Sequence, residues 1–329
     1  MESLSSNAFW LALVAAVLAT TLSWTRLLGV RLVMRRLPAL SYAEGATEAA
    51  DGPLVATVGR SQNGNGWSQP LGRLTTLATW TLVALLVVSV LARWRAVDHA
   101  PWSNMYEFTI AFATAITAFY VLFERWSEAQ AEGRPAAQAV GALVLPVVLA
   151  MLAATAAFFP SDIRPLVPAL QNSDLLAIHV ATMILAYGAL STSFGAAALY
   201  LAQTWPERGR GRESGGRPGE RFPRLPRAEL LDEVAYKSVM IGFPLLAAGI
   251  ALGAYWANSA WGRYWGWDPK ETSALVTWLI YGIYLHTRGL RHWSGRRSAA
   301  VLVVGFASVM FTYFAVTLWV SGLHSYAGV

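Results

Sequence analysis

Residues 261–272 read WGRYWGWDPKET, in which Trp261, Trp265 and Trp267 are interleaved with Gly262, Gly266 and Tyr264 and followed at once by Asp268-Pro269-Lys270-Glu271. Three indoles within seven residues make a dense plate of π-surface with charge at its edge, a surface on which a flat, apolar ligand can stack. Scattered tryptophans at a water–lipid boundary form an ordinary aromatic belt; a cluster broken by glycines is more than a belt needs. The chain has five histidines and no cysteine. Imidazole is a good ligand for metals, while disulfides, thiolate ligation of a metal and thiol redox chemistry by the chain itself are excluded. Asp268, Pro269 and Glu271 also have a plain reading, as N-cap, N1 and N3 of a capping box that starts a helix. Asn104 and Glu107 share that spacing.

These residues must be positioned by membrane helices. Of 329 residues, 55% are hydrophobic and 13% charged, and several apolar stretches reach the ~20 residues that cross a bilayer. The expected fold is all-α, a polytopic membrane helix bundle of about eight transmembrane helices, since lipid forces backbone groups to pair within each segment. No stretch alternates at period two, which argues against a β-barrel. The spans fall near 8–28, 74–96, 105–123, 137–158, 175–203, 236–256, 270–289 and 299–321. The first lacks a basic n-region and a clear cleavage site, so it reads as a retained helix. Segments after spans one, three, five and seven carry 20 of the 25 Lys and Arg, which predicts both termini outside. The net charge of +6 is spread over the loops of one face and is no nucleic-acid footprint. Residues 43–70 and 205–227 have the composition of solvated linkers. The division expected is a helix and loop over 1–73, then a membrane domain over 74–329 with the tryptophan loop at 256–272. Arg outnumbers Lys 23 to 2, a bias of GC-rich bacterial genomes that favours a cell membrane over a thylakoid. No phosphate-binding loop, HExxH motif or Ser/His/Asp triad is present.

Depth sorts the histidines. His179 enters span five by about four residues, or ~6 Å at 1.5 Å per residue. His324 lies just past the outer end of span eight, and His99 sits in the outer turn before span three. These three share a level. His286 lies ~24 Å from the outer end of span seven, near the inner face, and His292 lies in a basic inner loop, where a solvated histidine is the ordinary reading. His99 has an ordinary reading as an interfacial residue, and His179 or His286 as a helix-to-helix hydrogen bond. An ionisable residue within a span is nonetheless a functional candidate. Two neutral imidazoles at one depth on different helices suit the two faces of a haem iron. His179 and His324 fit that arrangement. His286, ~20 Å deeper, either marks a path across the membrane or needs a second site whose other ligand comes from another chain.

The stretches HAPWSNMYE (99–107), IHVATMILAYG (178–188), the run from Gly242 to Arg288 and GLHSYA (322–327) resemble the CcsA/ResC family of cytochrome c biogenesis proteins, called CcsB in some genomes. These are haem-handling proteins with a tryptophan-rich, WWD-type domain. The chain departs from them at Phe108, where the family often has Ser. The resemblance implies a membrane subunit of the System II cytochrome c synthase that presents haem b at the outer face. There haem would be joined through thioethers to the Cys-x-x-Cys-His motif of an apocytochrome c. It also implies a CcsB/ResB-type membrane partner. His179 and His324 match the outer haem ligands, His286 matches the inner-site histidine, and His99 matches a recurrent position.

On this reading Trp261, Trp265 and Trp267 stack on the porphyrin, while Asp268, Arg263 and Lys270 orient its propionates. Lacking cysteine, the chain leaves thiol reduction to other proteins. Two other classes make different demands. A b-type electron-transfer subunit needs histidines paired across helices of one chain, and His286 has no such mate. A proton-coupled transporter using His179 and His286 needs acidic residues in mid-span, whereas Glu107, Asp174 and Glu271 lie at the ends of the expected helices.

Overall fold

The computed structural model describes residues 1–35, 68–128, 133–163, 165–166, 168–171, 173–204, 226–290, 293 and 295–324. Nearly all of both linkers, and His292, lie outside these residues. Eight long helices follow one another: α1 (Glu2–Arg35), α2 (Ser68–Val97), α3 (Met105–Glu128), α4 (Gly133–Phe158), α5 (Ser173–Thr204), α6 (Ala228–Trp261), α7 (Pro269–Arg288) and α8 (Arg296–Leu318). Among the described residues there is no strand, as expected where each backbone must bond within its own segment. All but α7 are long and apolar enough to cross a membrane. α7 has the length but carries Lys270, Glu271, His286 and Arg288. The chain is a multi-pass membrane helix bundle.

One apolar core runs through the bundle, from Phe9 of α1 and Leu86 of α2 to Leu246 of α6, Tyr281 of α7 and Phe306 of α8. Glycines let helices approach closely, as membrane packing favours. A Cβ on Gly188 of α5 would lie 3.0 Å from the Ala115 carbonyl of α3.

A buried ion pair braces the end of the bundle that carries the tryptophan run. Arg93 Nε donates to Glu107 Oε1 at 2.8 Å, with both side chains almost fully enclosed. Glu107 Oε2 accepts from the Ser103 amide and hydroxyl at 3.0 and 2.7 Å, so the carboxylate is fully bonded. Asn104 Oδ1 caps the Glu107 amide at 3.0 Å. The expected capping pair therefore forms, with Glu107 reaching back to Ser103 rather than to Asn104.

Two features depart from the sequence reading. α3 runs on to Glu128, which brings Glu124 inside the helix and leaves it 1% exposed. The carboxylate lies one turn before the end of α3, so it adds no acid in mid-span. It is tolerated because Oε1 accepts from Thr76 Oγ1 at 2.6 Å and Gln138 Nε2 at 3.2 Å, which offsets part of the burial cost. The second feature is a π-helical turn, Phe311–Ala315, inside α8. Such a turn shifts the helix face by about one residue and recurs beside functional sites. This one sits next to the cavity described below, with Thr312 in its wall.

Candidate functional site

The aromatic run is divided among three pieces of chain. Trp256 to Trp261 close α6, residues 262–268 form a short loop, and Pro269 opens α7. α6 ends because Gly262 takes the left-handed conformation (φ 71°), with its amide bonded to the Asn258 carbonyl at 2.9 Å. That is an αL stop, which glycine adopts without a Cβ penalty. α7 begins with the expected capping box. Asp268 Oδ2 accepts from the Lys270 amide at 3.1 Å, and Glu271 Oε2 accepts from the amides of Asp268 and Gly266 at 3.1 and 2.9 Å. The loop is therefore pinned at both ends.

Beneath the loop lies an open-sided cavity of about 940 Å³, counting its mouth, with His179, Trp256, Trp261, Trp265, Lys270 and His324 in its walls. His179 projects from the second turn of α5. Its Nδ1 donates to the Gly249 carbonyl of α6 at 2.8 Å, which assigns the tautomer and leaves Nε2 with the lone pair. The ring fits only because α6 is bare there. A Cβ on Gly253 would lie 2.6 Å from His179 Cε1. On its other side the ring runs parallel to Trp256, 5° apart in plane at 6.4 Å between centroids.

His324 arrives after α8 and also lines the cavity. Its Nδ1 donates to Asp268 Oδ2 at 2.7 Å, and the Leu323 amide donates to Asp268 Oδ1 at 2.6 Å. Asp268 thus caps α7 and ties down the segment that carries His324. Burial pushes its carboxyl upward, but the hydrogen bond and charge of His324, with the amides of Leu323 and Lys270, hold it below the ordinary aspartate value. It is a carboxylate at neutral pH. Gly322 makes the close approach possible, since a Cβ there would lie 2.5 Å from Asp268 Oδ1. Trp261 meets the His324 ring edge-on at 5.1 Å, and Trp256 meets Trp261 in the same manner at 4.8 Å.

The structure therefore brings together His179, His324, Asp268, Trp261 and Trp265. Trp267 stands apart. It is 70% exposed, and its φ of 57° is rare for a bulky residue. Because Glu271 fixes the amides on either side of it, its ring turns out of the cavity and touches Trp265 edge-on at 5.8 Å. His99 Nδ1 donates to the Ala100 carbonyl at 3.0 Å, and the ring lines a small side pocket that shares Trp102, Leu170 and Leu176 with the main cavity. Arg263 is exposed and lies over Gly266. Lys270 lines the cavity, with Nζ on Thr317 Oγ1 at 3.0 Å. His286 is at the opposite end of α7, on an exposed stripe with Val276, Leu279 and Ile283.

Trp256, 1% exposed, opens the expected loop at 256–272 but has no stacking role in the sequence reading, and it is a central wall residue. A signal for it exists in Gly249-x-x-x-Gly253 one turn earlier, a close-packing motif that sets α6 against the helix bearing His179.

Fold and site together define a multi-pass helical membrane protein with two imidazoles and a tryptophan wall facing one cavity at one end of the bundle. The chain belongs to the cytochrome c assembly protein family, which it matches over residues 102–324. It is 38% identical over 279 residues to a cytochrome c biogenesis protein CcsA from Mesostigma viride, covering 80% of this chain and 88% of that one. Proteins of the same name from Gloeobacter violaceus and Chlamydomonas reinhardtii are 37% and 38% identical over 292 and 245 residues. They cover 74% of this chain in both cases, and 84% and 65% of theirs. The chain accordingly works in cytochrome c maturation, a process that involves haem and an apocytochrome c.

Proposed function

We propose that this chain is the haem-presenting subunit of a System II cytochrome c synthase. Haem b is the substrate, held between His179 and His324 at the extracytoplasmic face of a cell membrane. The excess of Lys and Arg in the segments after spans one, three, five and seven supports that orientation. The observation that carries the reading is the pairing of two histidines on separate elements of one cavity, each with Nδ1 committed to a protein acceptor. Such bonds orient a ligand imidazole and raise its basicity. Trp256 and Trp261 supply stacking surface between them.

Two cysteine thiols of an apocytochrome add across the two vinyl groups, each S–H contributing its sulfur to one vinyl carbon and its proton to the other. The cofactor's own reactivity carries that step. This chain's part is to hold the macrocycle in one orientation beside the incoming Cys-x-x-Cys-His segment. Thiol-reducing proteins keep that segment reduced. His286 belongs to a second haem position at the inner end, completed by a histidine from a CcsB/ResB-type partner packed on the exposed stripe of α7.

The test is the absorption spectrum of the protein purified with its partner, as wild type and as His179→Gly with His324→Gly. A Soret band that weakens or shifts in the double variant and returns with added imidazole is the expected result. Wild-type protein without haem after haem-replete expression would defeat the reading.

A further inference from the structure

The cavity contains three hydrogen-bond donors that the two histidines do not use. Nε1 of Trp102 and Nε1 of Trp256 are both buried without an acceptor among the described residues, and both rings line the cavity. Lys270 lines it too. Its ammonium gives one N–H to Thr317 and lies 5.8 Å from the centre of the Phe108 ring, and no carboxylate pairs with it among the described residues. The nearby acids are engaged elsewhere, Asp268 with His324, Leu323 and the Lys270 amide, and Glu271 with the amides of Gly266 and Asp268.

Indole N–H and ammonium groups are donors only. The carboxylate of the cavity lining, Glu271, already accepts from two amides through Oε2, which leaves the three donors, one of them charged, without an acceptor of opposite charge. The group that completes the wall is an anion with several lone pairs, and a carboxylate has that chemistry. Leu170, Leu176 and Val180, which pack with Trp256, offer an anion nothing.

We propose that Lys270, Trp102 and Trp256 form a carboxylate-binding pole inside the cavity. Resting on the haem reading above, the pole takes a propionate of the presented haem. The two vinyl groups of haem b lie on the half of the macrocycle away from its two propionates. Anchoring a propionate within the cavity therefore turns the vinyl-bearing half towards the mouth, where the thiols arrive. Of the three residues that the sequence offered for the propionates, the pole keeps Lys270. Asp268 instead anchors His324, and Arg263 lies on the outer loop.

The experiment compares haem with haem dimethyl ester, in which both carboxylates are esterified and the iron and vinyls are intact. Each is titrated into the purified, haem-stripped complex and followed by Soret absorbance. Wild type is expected to bind haem at least tenfold more tightly than the ester. Lys270→Gln and Trp102→Phe, which keeps the ring and deletes the N–H, are expected to bring that ratio towards one with the Soret position unchanged. Lys270→Arg restores the preference, which a merely misfolded Lys270→Gln would not explain. Equal wild-type affinities with a normal Soret band overturn the carboxylate pole and leave the haem reading standing. No Soret band with either compound overturns the haem reading, and the pole with it.

Discussion

Gly253→Ala isolates the histidine on α5 without touching it. The added methyl would lie 2.6 Å from His179 Cε1 and 3.0 Å from Nδ1, against an ordinary contact of at least 3.4 Å. The ring must retreat by about 0.8 Å. It cannot do so and keep its 2.8 Å bond to Gly249, because that carbonyl lies one turn away on the same helix and such bonds fail beyond roughly 3.2 Å. A misplacement of this size at a reacting centre costs on the order of 100-fold, or about 2.7 kcal/mol. Global stability changes little. Alanine is favoured over glycine in a helix by about 1 kcal/mol, against an overpacking cost of about 1–3 kcal/mol. The assay is Soret absorbance per mole of purified protein alongside a thermal melt. The expected outcome is a folded protein with haem content down by one to two orders of magnitude. Adding His179→Gly to the variant removes the clash, so the double variant should take up haem with external imidazole as well as His179→Gly alone. A Gly253→Ala protein with wild-type haem content and Soret position would show that the His179 ring, as placed here, is not a ligand.

Asp268→Ala removes a helix cap worth about 1 kcal/mol and a charge-assisted bond worth about 1.5–3 kcal/mol; weaker, spectrally shifted haem binding is expected, with Asp268→Asn intermediate. Because the folded Asp268 value is depressed, the tie it makes is fully present above the ordinary aspartate value of 3.8 and is lost as pH falls through the lower folded value. Hydrogen exchange of residues 319–324 should therefore be flat from pH 8 to about 5 once corrected for intrinsic rates, and rise only in strong acid; release near neutrality would contradict the assignment. Gly322→Val should detach His324 through the 2.5 Å approach to Asp268, lowering haem affinity with little change in melting temperature. Arg93→Met should lower stability by about 3–5 kcal/mol, since it strands a buried carboxylate, and Arg93→Met with Glu107→Leu should recover much of it; thermal melts of the pair decide.

Eight helices were legible because apolar runs of membrane length are hard to mistake. Their ends were not, because α1 and α6 continue as helix beyond the apolar stretch, to Arg35 and back to Ala228. The same continuation placed Glu124 inside α3. That His179 and His324 share a level follows from helix rise alone. Their meeting in one cavity depends on Asp268, and the capping box already accounts for that residue in sequence, so its second bond could not be read there. Trp267 looks equivalent to Trp265 in a string of letters. Only the backbone, held by Glu271 on both sides, turns one ring in and the other out. In sequence Lys270, between Pro269 and Glu271, is one of three groups offered for the propionates, and nothing there shows that its ammonium reaches Thr317.

The tie between Asp268 and residues 323–324 also imposes an order of assembly. Synthesis proceeds from the N-terminus, so His179, the Trp256 wall and the α7 cap exist before α8 is made. The second histidine joins them only when α8 has threaded back across the bundle and brought its far end beside the start of α7. Until then the cavity gapes on one flank, and a large flat guest would find a single imidazole. On the proposed reading, tight capture then doubles as a check on membrane insertion, because a chain stalled one helix short, or inserted with its last hairpin inverted, cannot close the grip.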